Sequence, residues 1–444
     1  MQDLSYLDYA LSGKDIFMSI SALAALAVFT ATIILIATGR MRRSVATLLG
    51  ASLLMAFNVI PAEKAVGYID FNTIGLLMGM MVIVGILSRT GIFQYIAVKT
   101  VKATGGNIPL TFIAVIFVTA ILSAFLDNVT TVLLISPVVI SLVELIEVNP
   151  VPFLIGEAFA SNIGGTATLV GDPPNLIIGS FAHFSFMDFI VNLAPVTLVI
   201  LVVVCGWLLF HFRKEFAMSS PSAERIAEVD ESKLIHDRSL MFRAVGAMSF
   251  VLAGFGVHHM LHLPASVVAL LGSALLLAVV PVNGDEVIHK DIEWPTILFF
   301  ATLFIIVGAL RETGVISMVS GVFSTLFQGR PLLALLAILW FSGLTCSFVN
   351  NVAFTATFVF VAKDLAISLG MPAAPVFWVL ALGACLGGNG SFLGSAANVI
   401  VADMAERSGS RISFRAFMDT GLQVVIVSLA VASLYVTVRW GGSL

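Results

Sequence analysis

The chain has 444 residues, 59% of them hydrophobic and only 11% charged, with a formal net charge of −4. Soluble domains carry about 25% charged residues, so an ordinary soluble enzyme is excluded, and the negative balance argues against a nucleic-acid partner. Three cysteines, Cys205, Cys346 and Cys385, all sit in apolar runs. They form neither a disulfide framework nor a metal-ligand pattern, so no metal or other cofactor is expected.

In chain order, residues 1–17 form an N-terminal segment that carries Asp3 and Asp8 and lacks a basic region. It does not read as a cleaved signal peptide. Nearly uncharged stretches follow, among them Ile16 to Thr38, Phe189 to Phe210 and Phe417 to Val438. Each is long enough to cross a hydrocarbon core of about 30 Å as a helix. The short alternating segments of a β-barrel are not seen. The fold class expected is therefore an all-α, multi-pass membrane protein of the bacterial inner membrane, with the lipid bilayer as its surroundings.

A repeat at a fixed offset of 223 residues organises the chain. Gly85 matches Gly308, Thr90-Gly91 matches Thr313-Gly314, and Asn128-Val129 matches Asn351-Val352. Gly164-Gly165 matches Gly387-Gly388, Gly171 matches Gly394, and Asn175 matches Asn398. The expected layout is repeat 1 over 18–214, a polar cytoplasmic linker over 215–240, repeat 2 over 241–437 and a tail over 438–444. Within the linker, Ser219 to Arg238 suggests a surface helix, with Ile226, Val229, Leu234 and Ile235 as its apolar residues.

Basic residues mark the cytoplasmic side. Arg40, Arg42 and Arg43 follow the first span, while the equivalent Leu263 to Ser266 has no Lys or Arg. Conversely, Ser180 to Asn192 has none, and its equivalent holds Arg407, Arg411 and Arg415. The basic loop switches between equivalent positions, so the halves are expected to be inverted. Each would cross about five times and add one re-entrant hairpin.

Each half carries two polar interruptions. The first is Asp127-Asn128-Val129-Thr130-Thr131, mirrored by Asn350-Asn351-Val352; each lies midway in a long apolar stretch and reads as a hairpin tip inside the membrane. The second runs from Asn162 through Gly164, Gly165, Thr166, Thr168, Gly171 and Asp172 to Pro173, Pro174 and Asn175. Its mirror runs from Gly387, Gly388 and Asn389 through Ser391, Gly394 and Ser395 to Asn398. Glycine pairs and a double proline cannot readily continue a helix. Backbone freed at membrane depth is tolerated only where protein or a water-filled cavity covers it. Broken helices at matching positions of two halves point to a transport site.

These residues are the candidate substrate and ion site. Asp127 and Asp172 are the only carboxylates in the breaks and the candidates for proton coupling, because a charge at bilayer depth usually marks an ion path. A helix-capping role is the alternative for both. Asp127 is placed first, since its repeat partner is the neutral Asn350 and an unpaired buried carboxyl is expected there. Asn128, Asn351, Asn175 and Asn398 either contact cargo or satisfy broken backbone. Glu157 reads as a cytoplasmic-side polar contact or a functional group. His258, His259 and His262 read as an outside loop. Cys346 and Cys385 flank the second-half breaks.

Leu126-Asp-Asn-Val-Thr-Thr-Val-Leu-Leu, Gly171-Asp-Pro-Pro-Asn175, Asn350-Asn-Val-Ala-Phe354 and Gly387 through Asn398 resemble the ion-transporter superfamily. That superfamily includes arsenite efflux permeases, the melanosomal P protein, D-type sodium/proton antiporters and sodium-coupled dicarboxylate symporters. The motifs look most like the arsenite-permease and P-protein branch. The resemblance implies an elevator-type fold, a homodimer, and a cytoplasmic ATPase subunit as a partner. It also implies a small inorganic solute as cargo, with H⁺ or Na⁺ as the coupling ion. The dicarboxylate branch carries Ser-Asn-Thr at both tips, and this chain does not. Arsenite or antimonite efflux against protons leads these readings, ahead of sodium/proton antiport and sodium-coupled dicarboxylate carriage. An intramembrane aspartyl protease is the remote enzyme alternative; it needs two facing carboxylates, and the repeat puts Asn350 and Ser395 opposite the two aspartates.

Overall fold

The computed structural model describes residues 19–145, 147–217, 231–258 and 260–442. The N-terminal segment, His259 and most of the expected linker helix lie outside the described residues. Among the described residues there are helices and no strands.

The first half contains α1 (Ile20–Ala37), α2 (Arg43–Ala56), α3 (Ala62–Gly67), α4 (Phe71–Arg89), α5 (Ile92–Ala103), α6 (Ile108–Phe125), α7 (Asn128–Leu145), α8 (Pro150–Thr166), α9 (Pro173–Ala182), α10 (Phe186–Asn192), α11 (Ala194–His211) and α12 (Arg213–Ala217). The second contains α13 (Arg238–Val257), α14 (Ala265–Val279), α15 (Gly284–Lys290), α16 (Trp294–Glu312), α17 (Val315–Phe327), α18 (Pro331–Cys346), α19 (Asn351–Ser368), α20 (Ala373–Gly387), α21 (Ala396–Arg407) and α22 (Phe414–Trp440). Six consecutive helices, α4 to α9, begin 223 residues before α16 to α21. The same local signals stop and start both halves. Gly91 and Gly314 both take left-handed φ, 81° and 79°, between helices four and five.

Nine helices among the described residues are long and apolar enough to cross a membrane, and α9 with α10 forms one pair bent by 113°. Helices α2 and α14 have 14 and 15 residues, about 21–22 Å at 1.5 Å per residue. They are shorter than the hydrocarbon core and pack behind longer neighbours. The hairpin legs α6, α7, α18 and α19 have 16 to 18 residues. That is more than half a membrane thickness, so they run inclined or project beyond it.

The packing exchanges partners between halves. Helix α4 lies on α14 while α16 lies on α2, and α9 lies on α19 while α21 lies on α7. Contact of i with j and of j with i is the mark of a two-fold relation. Single residues repeat it. A Cβ at Gly85 would stand 2.5 Å from the Asp291 Cβ, and one at Gly308 would stand 2.4 Å from Tyr68 Cγ. Arg89 chelates Asp291 at 3.1 and 2.9 Å, and at the equivalent place Glu312 accepts from Tyr68 Oη at 3.0 Å. The charge-bearing residue is basic in one half and acidic in the other.

The exchanged pairs define two groups. Helices α1, α2, α4, α13, α14 and α16 pack on one another; α6 to α9 and α18 to α21 form a second group flanked by α11 and α22. The linker's described end, a 3₁₀ turn at Glu231–Leu234, is fastened to α5. His236 N donates to Thr90 O at 3.0 Å, and Lys102 pairs with Glu231 at 2.5 Å.

Candidate functional site

Both hairpin tips and both helix breaks come together in the second group. Asp172 and Ser395 hold the N-cap positions of α9 and α21, in extended conformation, and neither side chain caps. The freed carboxylate of Asp172 turns inward. It accepts from Asn128 Nδ2 at 3.2 Å and from Asn351 Nδ2 at 3.4 Å. The two tip asparagines, one from each half, therefore share one oxygen, Oδ1. Asn128 Nδ2 also donates to Asn162 Oδ1 at 2.9 Å and to Ser395 Oγ at 3.4 Å. Asn162 Nδ2 donates to Asn389 Oδ1 at 2.9 Å and Asn398 Oδ1 at 3.0 Å. Asp172, Asn162, Asn389 and Asn398 are fully buried. Asn389 Nδ2 is left buried with no acceptor, a donor available to an oxygen-bearing cargo.

Asp127 is not the unpaired carboxyl expected from the sequence. It N-caps α7: Thr130 N donates to its Oδ1 at 2.9 Å, and the Thr130 hydroxyl bonds its Oδ2. Asn350 does the same for α19, accepting from Val352 N at 3.1 Å and Ala353 N at 3.3 Å. A half-helix starting inside the membrane exposes N–H groups that need acceptors, and the cap residue supplies them.

Asn175 and Asn398 hold the breaks open. Asn175 Nδ2 donates to the carbonyls of Gly165, Thr166 and Thr168, and Asn398 Nδ2 to those of Gly388 and Ser391 at 2.7 and 2.8 Å. The Thr168 hydroxyl bonds Ala124 O, and Ser391 Oγ donates to Ser347 O at 2.5 Å, which ties each break to the neighbouring tip. Thr131 and Thr166 return to their own helices, at Asp127 O and Asn162 O. A Cβ at Gly171 would stand 2.5 Å from Ser123 O, so close backbone approach explains that glycine. Of the sequence-selected residues, Asn128, Asn162, Asp172, Asn351, Asn389, Ser395 and Asn398 meet at the centre. Asp127, Thr130, Thr131, Gly164, Gly165, Thr166, Thr168, Asn175, Asn350, Gly387, Gly388 and Ser391 build the frame.

Asn398→Asp is expected to destabilise as much as Asn398→Ala, because a carboxylate cannot donate to Gly388 O and Ser391 O. Each lost bond to a buried carbonyl costs about 1–3 kcal/mol. Thermal unfolding of the purified variants in detergent checks this; an Asp variant as stable as the parent would show that the amide does not hold the break.

The sequence singled out Cys385 without its partners and gave no sign of Arg43 at the first tip. The Cys385 thiol bonds both Asn175 Oδ1, at 3.5 Å, and Asp172. From the first group, Arg43 donates to Thr296 Oγ1 at 3.0 Å, lies over the Phe299 ring, and stands within electrostatic range of Asp127 and Glu293. Arg43 read as one member of a basic loop, and only the tertiary fold brings it to the first tip. His258 and His262, expected on an outside loop, line a cavity of about 770 Å³ with Asp70, Asn72, Ser180 and His183. His258 Nδ1 is bonded to Leu263 O at 2.8 Å. The cavity reaches Leu176, which together with Leu76 also lines a smaller pocket of about 20 Å³ against Asp127. Among the described residues no group of three or more His, Cys, Asp or Glu could hold a metal ion.

A buried polar centre built from broken helices inside a multi-pass helical protein defines a membrane transporter. The chain belongs to the citrate transporter family, CitMHS, whose profile matches residues 33–383. It is 38% identical over 423 residues to a 46 kDa membrane protein of Mycobacterium leprae, covering 94% of this chain and 98% of that one. It is 32% identical over 483 residues to the human P protein, covering 89% of this chain and 57% of that protein. Among solved structures, the YdaH transporter of Alcanivorax borkumensis, described as having an unusual topology, matches with a TM-score of 0.56. That match has 12% identity and covers 96% of this chain and 98% of the other, a likeness of fold. The sequence resemblance placed the chain nearest the arsenite-permease and P-protein branch; P proteins are among its relatives, the family shown is the citrate transporter family, and the arsenite-permease side is not shown.

Proposed function

We propose that the protein is a proton-coupled secondary transporter of a bacterial inner membrane that exports an uncharged polyhydroxy solute, arsenite or antimonite as the trihydroxide being the first candidate. One observation carries this reading. Among the described residues at the centre Asp172 is the one formally charged side chain, and it is bonded there by two amides and a thiol. An anionic cargo would meet a carboxylate and no counter-ion, whereas amides and hydroxyls suit a neutral solute with several O–H groups. Such a solute gains nothing from the membrane potential. Exchange for an inward proton supplies about 2.3 kcal/mol per 100 mV. The exchanged packing of the two helix groups supports an elevator-type motion, in which the group holding the centre slides along the group that does not.

The family's name favours a second reading, carriage of citrate, and that cargo would need an accompanying cation to face Asp172. Sodium/proton antiport at Asp172 is a third. Everted membrane vesicles separate them. Under an imposed pH gradient the first reading expects accumulation of arsenite and no uptake of citrate or Na⁺; citrate uptake without arsenite uptake would establish the second, and Na⁺ movement alone the third.

A further inference from the structure

Glu157 lies in the middle of α8, is the one charged residue of that helix and its caps, and is fully buried. Its Oε1 accepts from Ser136 Oγ at 2.8 Å, and its Oε2 is buried with no partner. Among the described residues of the helices packed on α8, no charged group relieves it. Helix α6 has none, and α7 offers only the exposed Glu144. Helix α11 offers Cys205 and the exposed His211; α20 offers Cys385, which is engaged with Asn175. On α21 and α22 the candidates Asp403, Glu406, Arg407, Arg415 and Asp419 are exposed.

The repeat shows that the fold does not require this pair. The residues 223 positions on from Ser136 and Glu157 are Val359 and Leu380, both buried and apolar. One half fills the site with two aliphatic side chains; the other spends a carboxyl and a hydroxyl there. An ionised carboxylate with one hydrogen bond is among the costliest groups to bury, and the neutral acid is far less so. Glu157 also precedes Asn162, which bonds Asn128 at the centre, by five residues, about 7.5 Å along the helix axis.

We propose that Glu157 is a second proton-binding site of the transporter, separate from Asp172, on the side of the centre from which α8 enters. Its carboxylate takes up one proton, is held as the neutral acid against Ser136, and gives the same proton back within the cycle. This deepens the proton-coupled reading and rests on it for the use made of the proton. The existence of the site is testable without any cargo.

The test is infrared difference spectroscopy, acid minus alkaline, on the purified full chain in lipid. The parent should show two buried protonated-carboxyl bands that vanish on alkalinisation. Glu157→Gln should lose one of them, and Asp172→Asn the other. Glu157→Leu, which copies the residue of the other half, should lose the same band as Glu157→Gln and remain folded. A Glu157→Gln spectrum superimposable on the parent, or a Glu157 band that persists unchanged through the titration, overturns the proposal. Failure of arsenite transport with the Glu157 band intact would count against the cargo reading alone.

Discussion

Asp172→Asn is expected to give a folded protein that moves cargo down its gradient and no longer concentrates it when a pH gradient is imposed. The variant keeps the size of the side chain and the hydrogen-bonding capacity toward Asn128 and Asn351, which meet Asp172 at 3.2 and 3.4 Å. It removes the only titratable oxygen pair at the centre. The fold tolerates a neutral residue at this place, because Ser395 occupies the equivalent N-cap in the second half. Coupling to about 100 mV of proton-motive force supports roughly forty-fold accumulation; the variant should fall to a ratio of about one. Asp127→Asn is the contrast. Asn350 already caps α19 through the same atoms, so an Asn at 127 should keep α7 capped and leave accumulation near the parental value. Uptake of labelled cargo into proteoliposomes, with and without a pH step, reads both variants. Retained accumulation by Asp172→Asn would remove it from the coupling step, and loss in Asp127→Asn alone would return the role to the tip.

The reversal between these two aspartates shows what a sequence can carry. The breaks were legible because glycine pairs, Pro173-Pro174 and the capping residues act over three or four positions. The two-half plan was legible because it is a translation along the chain, and six helix starts keep the 223-residue offset. Which carboxylate faces the centre depends on how α7, α9 and α19 approach one another. Asp127 and Asp172 both precede a helix by one residue, yet only Asp127 bonds the helix it precedes. Pro173 and Pro174 remove two N–H donors after Asp172, but Ser395, followed by two alanines, does not cap either, so the local sequence does not assign the roles. Arg43 and Ser136 escaped for the same reason. Arg43 meets Thr296 across 253 positions, and Ser136 meets Glu157 from a different helix. The short α2 and α14 were also illegible, because hydropathy reports composition and not where a helix is stopped.

The asymmetries lie on an otherwise repeated frame. Asp172 stands opposite Ser395, Asn162 opposite Cys385, Asn389 opposite Thr166, and Glu157 opposite Leu380. The frame residues recur with their bonds: Asn175 with Asn398, Thr168 with Ser391, Asp70 with Glu293. Thr73 Oγ1 donates to Asp70 at 2.6 Å and Thr296 Oγ1 to Glu293 at 2.8 Å. The backbone frame is shared by the two halves, the tip asparagines Asn128 and Asn351 recur, and the carboxyls Asp172 and Glu157 stand in one half only. A single cargo site on a two-fold axis would otherwise hold two equal carboxylates, whose mutual repulsion would oppose ionisation of both.

Gly164→Ala and Gly387→Ala are each expected to abolish the folded transporter, and by similar amounts. A Cβ at Gly164 would stand 2.1 Å from Ala120 O, and one at Gly387 would stand 2.3 Å from Gly343 O. Both obstacles are backbone atoms of the adjoining hairpin leg, α6 or α18, so no side-chain rotation relieves them. Small residues let membrane helices approach to backbone contact; forcing α8 from α6 would also strain the Ser123 Oγ bond to Ser161 O, at 2.7 Å. Overpacking a close-packed core costs about 1–3 kcal/mol even where side chains can move, and a total stability of about 5–15 kcal/mol leaves little reserve. Gly206→Ala is the control: nothing lies within 4 Å of its added Cβ, and alanine is the better helix former. Size-exclusion chromatography of detergent extracts should show a monodisperse peak for Gly206→Ala and aggregate or no protein for the other two. The paired design also tests the two-fold relation. If Gly164→Ala fails while Gly387→Ala behaves like the control, the two hairpins do not press on their broken helices alike, and the halves are less equivalent than their shared contacts imply.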